Sequence, residues 1–267
     1  MTVDFGLTAD DYARHRAGFP SSFFERLQHW RIGAPGQTVV DLGTGTGTLA
    51  RGFAQRGCRV VGIDPSESLL AQARQLSEQQ GLDVDYRVGI AEATGLSDES
   101  ADVVTAGQCW HWFDGPRAAA EAHRILRHGG AAVIAHFDWI PLHGNVVEAT
   151  EHLIEAHNPA WRFGGGNGLH PRWLRDLAEA DFRDLETFSY DVFVPYTHAD
   201  WRGRIRASAG VGASLAPDAV AAFDSALQAL LTERFPAPIL QVHHRVWAAI
   251  GRKSGRSGTS ALNPPSR

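Results

Sequence analysis

Residues 38–47 read Thr-Val-Val-Asp-Leu-Gly-Thr-Gly-Thr-Gly, a short apolar run that passes directly into three glycines spaced two apart. The apolar run is typical of a strand that is buried on both faces of a parallel sheet. Glycines at 43, 45 and 47 let the backbone turn sharply and approach a ligand closely. Apolar residues at helical spacing follow from Leu49, so the segment predicts a strand, a ligand-facing turn and a helix.

Strand-like segments recur along the chain at 59–64, 84–88, 101–105 and 131–137, and helix-period segments separate them. Such alternation implies a parallel sheet that is covered on both faces. Alternating apolar residues predict two further strands near 188–194 and 240–246, and we expect the last strand to be antiparallel. The predicted fold class is therefore α/β, a Rossmann-like, seven-stranded, mostly parallel sheet with helices on both faces and a small helical cap.

The same pattern predicts how the chain is divided. Glycine and proline near residue 35 break the chain before the first strand, and strict alternation stops after residue 137. The last residues are rich in serine, glycine and proline, a composition typical of disorder. We expect an N-terminal helical lid at 1–34, a cofactor-binding core at 35–140, a substrate-side insertion and helix at 141–180, the C-terminal part of the core sheet at 181–252 and a disordered tail at 253–267.

Composition limits the classes of partner. The 267 residues carry a formal net charge of -5, which does not favour a nucleic acid, since nucleic-acid binders usually present a basic face. The two cysteines and the scattered histidines show no metal-ligand spacing, so no metal is expected. No signal peptide and no bilayer-spanning run is found. We expect a cytoplasmic protein that acts on a small molecule, with no nucleic-acid or membrane partner and with its oligomeric state left open.

An acidic residue strengthens the interpretation of the glycine loop. Asp64 ends the second predicted strand, and a carboxylate about 20 residues after such a loop suits the two hydroxyls of a ribose. Nicotinamide enzymes and S-adenosylmethionine enzymes both use this arrangement. The loop reads GxGxG here instead of the GxGxxG of dinucleotide loops, and it lacks the Lys-Ser/Thr of a P-loop.

Four motifs in order resemble the class I S-adenosylmethionine-dependent methyltransferases. They lie at 39–47, 62–66, 89–93 and 125–130, where the last departs from the family pattern by having His128 in place of proline. The resemblance is strong over 36–140. It is nearest to the type 11-like, small-molecule enzymes that include trans-aconitate and malonyl-carrier-protein methyltransferases.

The resemblance implies S-adenosyl-L-methionine as cofactor and S-adenosyl-L-homocysteine as product. The glycines would let the backbone run close beside the methionyl part of the cofactor. Asp41 would orient the loop or the cofactor's amino group, and Asp64 would bind the ribose. Glu92 would lie beside adenine or be only a solvated carboxylate. The residues implied to bind the cofactor are Asp41, Gly43, Thr44, Gly45, Asp64, Pro65, Ser66, Ala91, Glu92 and Gln108.

The acceptor is expected near residues 108–113, because ligands of open α/β sheets bind outside the carboxyl ends of the strands. His111 is the first candidate for a general base and His136, near the end of the fifth strand, is the second. A carboxylate acceptor would need no base, since it is already ionised at neutral pH. The predicted substrate-binding residues are Tyr12, Arg16, Trp110, Trp112 and Arg204.

Each of these residues also has a structural explanation. The tryptophans could simply fill the end of the sheet, Tyr12 and Arg16 could lie on an exposed amphipathic helix, and Arg204 could be solvated or paired. We predict methyl transfer to a small organic acid, a phenol or a natural-product intermediate, with the acceptor atom undetermined.

Three other functions remain open at this stage. A nicotinamide-dependent oxidoreductase would share the loop and Asp64. A nucleic-acid amino-methyltransferase would be expected to carry Asn/Asp-Pro-Pro-Tyr/Phe after the fourth strand, where this chain has Ala-Gly-Gln-Cys at 106–109. A non-catalytic, cofactor-binding partner protein would also keep the cofactor motifs.

Overall fold

The computed structural model describes residues 18–255, and a seven-stranded sheet runs through them. The strands are β1 Thr38–Leu42, β2 Arg59–Asp64, β3 Asp85–Val88, β4 Ala101–Gly107, β5 Leu126–Trp139, β6 Phe182–Thr197 and β7 Ile239–Lys253. The α-helices are α1 Ser21–His29, α2 Thr48–Ala54, α3 Glu67–Gln79, α4 Gly115–Ile125, α5 Val146–His157, α6 Trp173–Glu179, α7 His198–Arg206 and α8 Pro217–Arg234.

The order of the strands across the sheet is β3-β2-β1-β4-β5-β7-β6. The first five strands are parallel, and β7 lies antiparallel between β5 and β6. Val40 of β1 is in register with Val61 of β2 on one side and with Val104 of β4 on the other. The order therefore reverses at β1, and ligands of open α/β sheets bind at the carboxyl end of such a switch point. The predicted fold class is confirmed.

Helices cover both faces of the sheet, because neighbouring residues of a strand point to opposite faces. On one face, Val133 and Ala135 of β5 join the core that contains α1, α2 and part of α3. On the other face, Ala132 and Ile134 join the core that contains α4 and α6. The apolar run of β1 is buried on both faces, as its sequence predicts.

A helical cap lies beyond the carboxyl end of β5, and it is larger than predicted. A third core joins α5, α7 and α8 around the fully buried ring of Trp201. The predicted cap came from the N-terminus and the insertion after the fifth strand, whereas α7 and α8 come from the C-terminal part at 181–252. The cause is strand length: β6 has 16 residues and β7 has 15, against 5 in β1. Their overhanging apolar residues, among them Val242, give the two helices a surface to cover.

The last strand extends one residue into the predicted tail. Lys253 belongs to β7, is buried, and donates from Nζ to the carbonyl of Leu126 at 2.8 Å. The remainder of that tail from residue 256, and the first 17 residues with Tyr12 and Arg16, lie outside the described residues. Among the helices of 18–255, none has both the length and the apolarity that crossing a bilayer requires.

Candidate functional site

The glycine loop takes the conformation that its sequence predicts. Gly43 and Gly45 have φ of 60° and 55°, in the left-handed region that favours glycine. A Cβ at Gly43 would lie 2.9 Å from Cys109 Sγ, so this position is closed by the protein itself. Among residues 18–255, no atom would lie within 4 Å of a Cβ at Gly45. Within this part of the chain, the backbone at Gly45 therefore borders open space.

Asp64 ties this loop to the end of β2. Its Oδ2 accepts the backbone N–H of Gly45 at 2.8 Å, and its Oδ1 accepts that of Ser66 at 2.9 Å. Burial raises the pKa of the carboxyl, and the two backbone donors offset this only in part. Each oxygen has a second lone pair that can accept from a ribose hydroxyl. The cap of α3 is Ser66, whose hydroxyl accepts from the N–H of Leu69, so Asp64 is not a helix cap.

Asp41 stabilises the loop from the buried end of β1. Its carboxylate is 2% exposed and accepts the hydroxyls of Thr44 at 2.6 Å and Thr105 at 2.7 Å. Burial raises the pKa of Asp41 to about 6, although both hydroxyls act to lower it. Of the two roles that the resemblance implies for Asp41, these contacts support the orientation of the loop.

The segment on the expected adenine side begins beside Asp64, since the N–H of Gly89 donates to the Asp64 carbonyl at 3.2 Å. Ala91 is buried, whereas the Ile90 side chain is 47% exposed and offers an apolar surface. The Glu92 carboxylate accepts the backbone N–H of Asp114 at 2.9 Å. Glu92 is thus engaged in joining two loops at this edge of the sheet.

Gln108 turns the chain sharply at the end of β4. Its φ is 61°, which is uncommon for a residue other than glycine and costs free energy. Its N–H donates to Ala135 O at 2.8 Å and its Nε2 donates to Phe137 O at 2.6 Å. The side chain therefore fixes β4 to β5, and contact of Gln108 with the cofactor stays a prediction.

The aromatic segment after β4 divides into a buried and an exposed part. Trp110 is 3% exposed, lies in the sheet core, and donates from Nε1 to Asp176 at 2.8 Å, which favours packing over substrate contact. His111 and Trp112 are exposed, with ring centroids 4.6 Å apart. Phe163, 56% exposed, lies 6.1 Å from Trp112. Sequence analysis missed Phe163, although it precedes the Gly-rich loop at 164–166.

The exposed side chains of His111, Trp112 and Phe163 form a rim. Next to this rim lies a cluster of His136, Asp138 and His170. The rings of His111 and His136 are 5.5 Å apart. Asp138 Oδ1 lies 3.2 Å from His136 Nδ1, and Asp138 Oδ2 lies 2.8 Å from His170 Nε2. Burial alone would raise the pKa of Asp138, but the two histidines together lower it below its ordinary range. The sequence holds a partial signal for this cluster, because residues 136 and 138 share one face of a strand.

Arg204 approaches the same region from α7. Its guanidinium lies 4.6 Å from the ring centroid of Trp139, with the Tyr196 hydroxyl as a further neighbour. Arg204 is half-buried, and removal of its charge from water lowers its pKa. In the part of the chain that the structure describes, no carboxylate lies within salt-bridge distance of it. Arg202 and Arg206, by contrast, both pair with Asp224.

Arg204 also interacts electrostatically with two titratable groups. Its charge acts on Asp138, and also on His244 of β7, which sequence analysis missed. Burial lowers the pKa of His244 to about 4, and the positive charge of Arg204 adds to the effect. The structure therefore groups His111, His136 and Arg204 around the carboxyl end of β5.

Comparisons with known proteins indicate a methyltransferase domain. The family described as "Methyltransferase domain" matches residues 40–134. An uncharacterized methyltransferase from Mycobacterium tuberculosis is 36% identical over 130 residues, which are 49% of this chain and 50% of that protein. The chain thus spans about half the length of the curated relative it matches.

Two solved structures share the fold. A proposed type II methyltransferase from Anaeromyxobacter dehalogenans has a TM-score of 0.60 at 24% identity, over 90% of this chain and 99% of that one. Phosphoethanolamine N-methyltransferase 2 from Haemonchus contortus, in complex with phosphomonomethylethanolamine and S-adenosylhomocysteine, has a TM-score of 0.55 at 19% identity, over 93% and 57%. Residues 40–134 therefore match a methyltransferase domain, and the chain shares its fold with solved methyltransferase structures.

Proposed function

We propose that the protein transfers a methyl group from S-adenosylmethionine to a small molecule. The observation that carries the proposal is the glycine loop, held by Asp64 at the switch point of the sheet and bordered by open space at Gly45. S-adenosylmethionine, when bound, supplies an electrophilic methyl group. The chain's own residues bind both partners, align the acceptor and exclude water.

The residues at the carboxyl ends of β2 and β3 fit such a cofactor. Asp64 presents acceptor oxygens of the kind that two vicinal hydroxyls require. The exposed side chain of Ile90 supplies an apolar surface on the side where adenine is expected. Holding two reactants in line can remove a large part of a bimolecular barrier, about 7–11 kcal/mol in favourable cases. Alignment is therefore the main contribution that we assign to the protein.

The charge of Arg204 favours an acid among the three acceptor classes. Among residues 18–255, Arg204 has no carboxylate within salt-bridge distance. A guanidinium that is removed from water without such a pair costs free energy, and a carboxylate would offer it two parallel hydrogen bonds. We propose that Arg204 holds an anionic group of the acceptor. The exposed rings of Trp112 and Phe163 would contact its apolar part.

The chemistry at the acceptor then depends on which atom is methylated. A carboxylate oxygen carries its charge at neutral pH and needs no base. A hydroxyl acceptor would need one, and His111 is the better placed candidate because it is exposed at the rim. His136 is 4% exposed and its Nδ1 faces Asp138, so it is the second candidate.

The same proposal covers partners and location. A small-molecule acceptor without nucleic acid agrees with the net charge of -5. A cytoplasmic location agrees with the buried thiols of Cys58 and Cys109, since reducing compartments preserve thiols.

The test is a transfer assay with methyl-labelled S-adenosylmethionine. The purified protein is incubated with panels of small organic acids and phenols and with a cell extract, and products are identified by mass spectrometry. We expect acceptor-dependent formation of S-adenosylhomocysteine and label in a compound that bears a carboxylate. Reduction of NAD with a substrate would instead support an oxidoreductase. Cofactor binding without turnover on any acceptor would support a non-catalytic binding protein.

A further inference from the structure

Three side chains at the carboxyl end of β5 have the composition of a metal site. They are His136 and Asp138, two residues apart on one face of the strand, and His170 from the segment before α6. One donor atom from each, an imidazole nitrogen or a carboxylate oxygen, lies within 4.8 Å of the other two. We propose that these residues bind one divalent transition-metal ion, which goes beyond the proposed methyl transfer and does not depend on it.

The spacing of the donor atoms suits one shared ion. Zinc lies about 2.0–2.2 Å from histidine nitrogen and carboxylate oxygen, so ligand atoms at the tetrahedral angle are about 3.3–3.6 Å apart. Asp138 Oδ1 lies 3.2 Å from His136 Nδ1, and Asp138 Oδ2 lies 2.8 Å from His170 Nε2. Small side-chain rotations would therefore let one ion bind all three groups.

Aromatic packing holds the two imidazoles in place. The His170 ring stacks on Trp173 at 4.2 Å with an interplanar angle of 6°, and His136 lies 4.7 Å from the same indole. Trp247 lies 5.6 Å from His170, and both tryptophans are buried. Ligands that are fixed before binding lose little conformational freedom, which raises metal affinity.

The donor set selects the class of metal. Two imidazoles and one carboxylate suit zinc, iron(II), cobalt(II) and similar ions, whereas calcium and magnesium prefer oxygen ligands. Three protein ligands leave at least one coordination position open, as in catalytic rather than structural zinc sites. The side chains of Asp138 and His170 are 31% and 23% exposed, which gives an ion a path from solvent.

The open position would adjoin the candidate acceptor site. The His136 ring lies 5.5 Å from the exposed His111 ring. An ion held by the cluster would therefore lie beside the exposed part of the proposed acceptor site. There it would add a second point of attachment for an acceptor oxygen.

The competing arrangement is a hydrogen-bonded triad in which both imidazoles donate N–H to Asp138. Metal titration separates the two, because an ion replaces those protons. Cobalt(II) is added to the chelator-treated protein, and both calorimetry and the visible absorption of cobalt are recorded. We expect one high-affinity site per chain. His170→Gln and Asp138→Asn should each lower the affinity at least about 100-fold, because loss of an outer-shell partner alone already costs about 10–100-fold.

His143→Ala is the matched control, because this histidine is fully exposed and lies outside the cluster. It should bind cobalt(II) like the wild type. Binding of S-adenosylhomocysteine to all variants reports whether they are folded, and it also keeps failure of the metal site distinct from failure of the proposed transferase. Wild-type protein with no site tighter than about 100 µM, or with a site that His170→Gln leaves unchanged, would establish the hydrogen-bonded triad and overturn the proposal.

Discussion

The Asp64 carboxylate accepts the backbone N–H of Gly45 at 2.8 Å, across 19 residues of chain. The residue expected to bind the ribose is thus also the residue that holds the loop expected to pass the methionyl group. Its other oxygen accepts the N–H of Ser66, just before α3. One carboxylate therefore fixes β2, the glycine loop and the start of a helix, and its removal should affect more than one contact with the cofactor.

The first prediction concerns the choice of cofactor. S-adenosylmethionine or S-adenosylhomocysteine should raise the melting temperature, because a ligand that binds only the native state stabilises it by about 2.7 kcal/mol at 100 times its Kd. NAD should leave the melting temperature unchanged. Differential scanning fluorimetry with each ligand makes the measurement. Stabilisation by NAD alone would contradict the assignment of the loop.

The second prediction concerns Asp64. Asp64→Ala should weaken S-adenosylhomocysteine binding by about 1.5–3 kcal/mol, the scale of hydrogen bonds to a charged group. Because Asp64 also holds the loop through the N–H of Gly45, the substitution should release that loop. The enthalpy and the entropy of binding should therefore both change in calorimetry. Asp85→Ala is the control, because Asp85 is an exposed carboxylate on β3 that pairs with Arg87. Equal affinities of the two variants would show that Asp64 does not contact the cofactor.

The third prediction concerns the pH dependence of stability. Burial raises the pKa of Asp41 from 3.8 to about 6, so between these values the native state holds a proton that the unfolded state releases. The free energy of unfolding should therefore fall as pH rises from about 4 to 6, by up to about 3 kcal/mol from this group. Above about pH 6 its contribution should be constant.

Asp41→Asn tests this directly, since an amide can still bond both threonine hydroxyls but does not titrate. Urea denaturation at pH 4.5 and 7.5 should show a smaller loss of stability in the variant than in the wild type. Other titrating groups are common to both proteins and cancel in the difference. Parallel pH profiles would mean that the Asp41 carboxyl is ionised in the native state throughout this range.

The sequence predicted the parts of this molecule that depend on short-range pattern. The strand, glycine turn and helix at residues 38–54 follow from periodicity, and Asp64 follows from its position at the end of the next strand. The helices α7 and α8 appear in the cap because β6 and β7 overhang the sheet, and strand length of that kind depends on tertiary pairing. The motif was therefore enough to predict a cofactor side, and the architecture was needed to propose an acceptor side.

The site residues that were missed depend on contacts between distant segments. Asp138 and His170 are 32 residues apart, and nothing local in the sequence pairs them. The three arginines of α7 look equivalent in sequence. Asp224 of α8 pairs with two of them and leaves Arg204 facing Trp139, a distinction that requires the packing of two helices.

The fourth prediction concerns Arg204. Arg204→Gln should raise the KM for an anionic acceptor by about 10- to 100-fold, because about 1.5–3 kcal/mol is lost with a charged hydrogen bond. The affinity for S-adenosylhomocysteine should not change. The melting temperature should stay equal or rise, since the substitution removes a desolvated charge that lacks a carboxylate partner in the described chain. Steady-state kinetics and scanning fluorimetry measure these effects.

Arg206→Gln is the matched control for Arg204. It lies on the same helix but pairs with Asp224, so its loss should lower stability slightly and leave the KM unchanged. Arg204→Lys should restore the KM only in part, because an ammonium lacks the planar pair of donors. A KM that responds equally to Arg204→Gln and Arg206→Gln would show that net charge, and not a specific subsite, attracts the acceptor.

The last prediction concerns His111 and separates two mechanisms. The residue is exposed after β4, between Trp112 at 4.6 Å and His136 at 5.5 Å, where the acceptor is expected. If the acceptor is a hydroxyl, a base must take its proton, and His111→Ala should lower kcat by about 10²–10⁴-fold. If the acceptor is a carboxylate, no proton is removed, and the substitution should mainly raise the KM. We expect the second result, because Arg204 favours an acid.

His111→Gln makes the distinction sharper. Glutamine keeps a hydrogen-bonding side chain of similar reach but cannot take a proton at neutral pH. In the binding role, it should therefore recover most of the KM that His111→Ala loses, and kcat should stay near the wild-type value in both variants. In the base role, glutamine should be as inactive as alanine. A loss of about a thousandfold in kcat in both variants, with unchanged affinity for S-adenosylhomocysteine, would identify His111 as the general base and direct the search for the acceptor towards hydroxyl compounds.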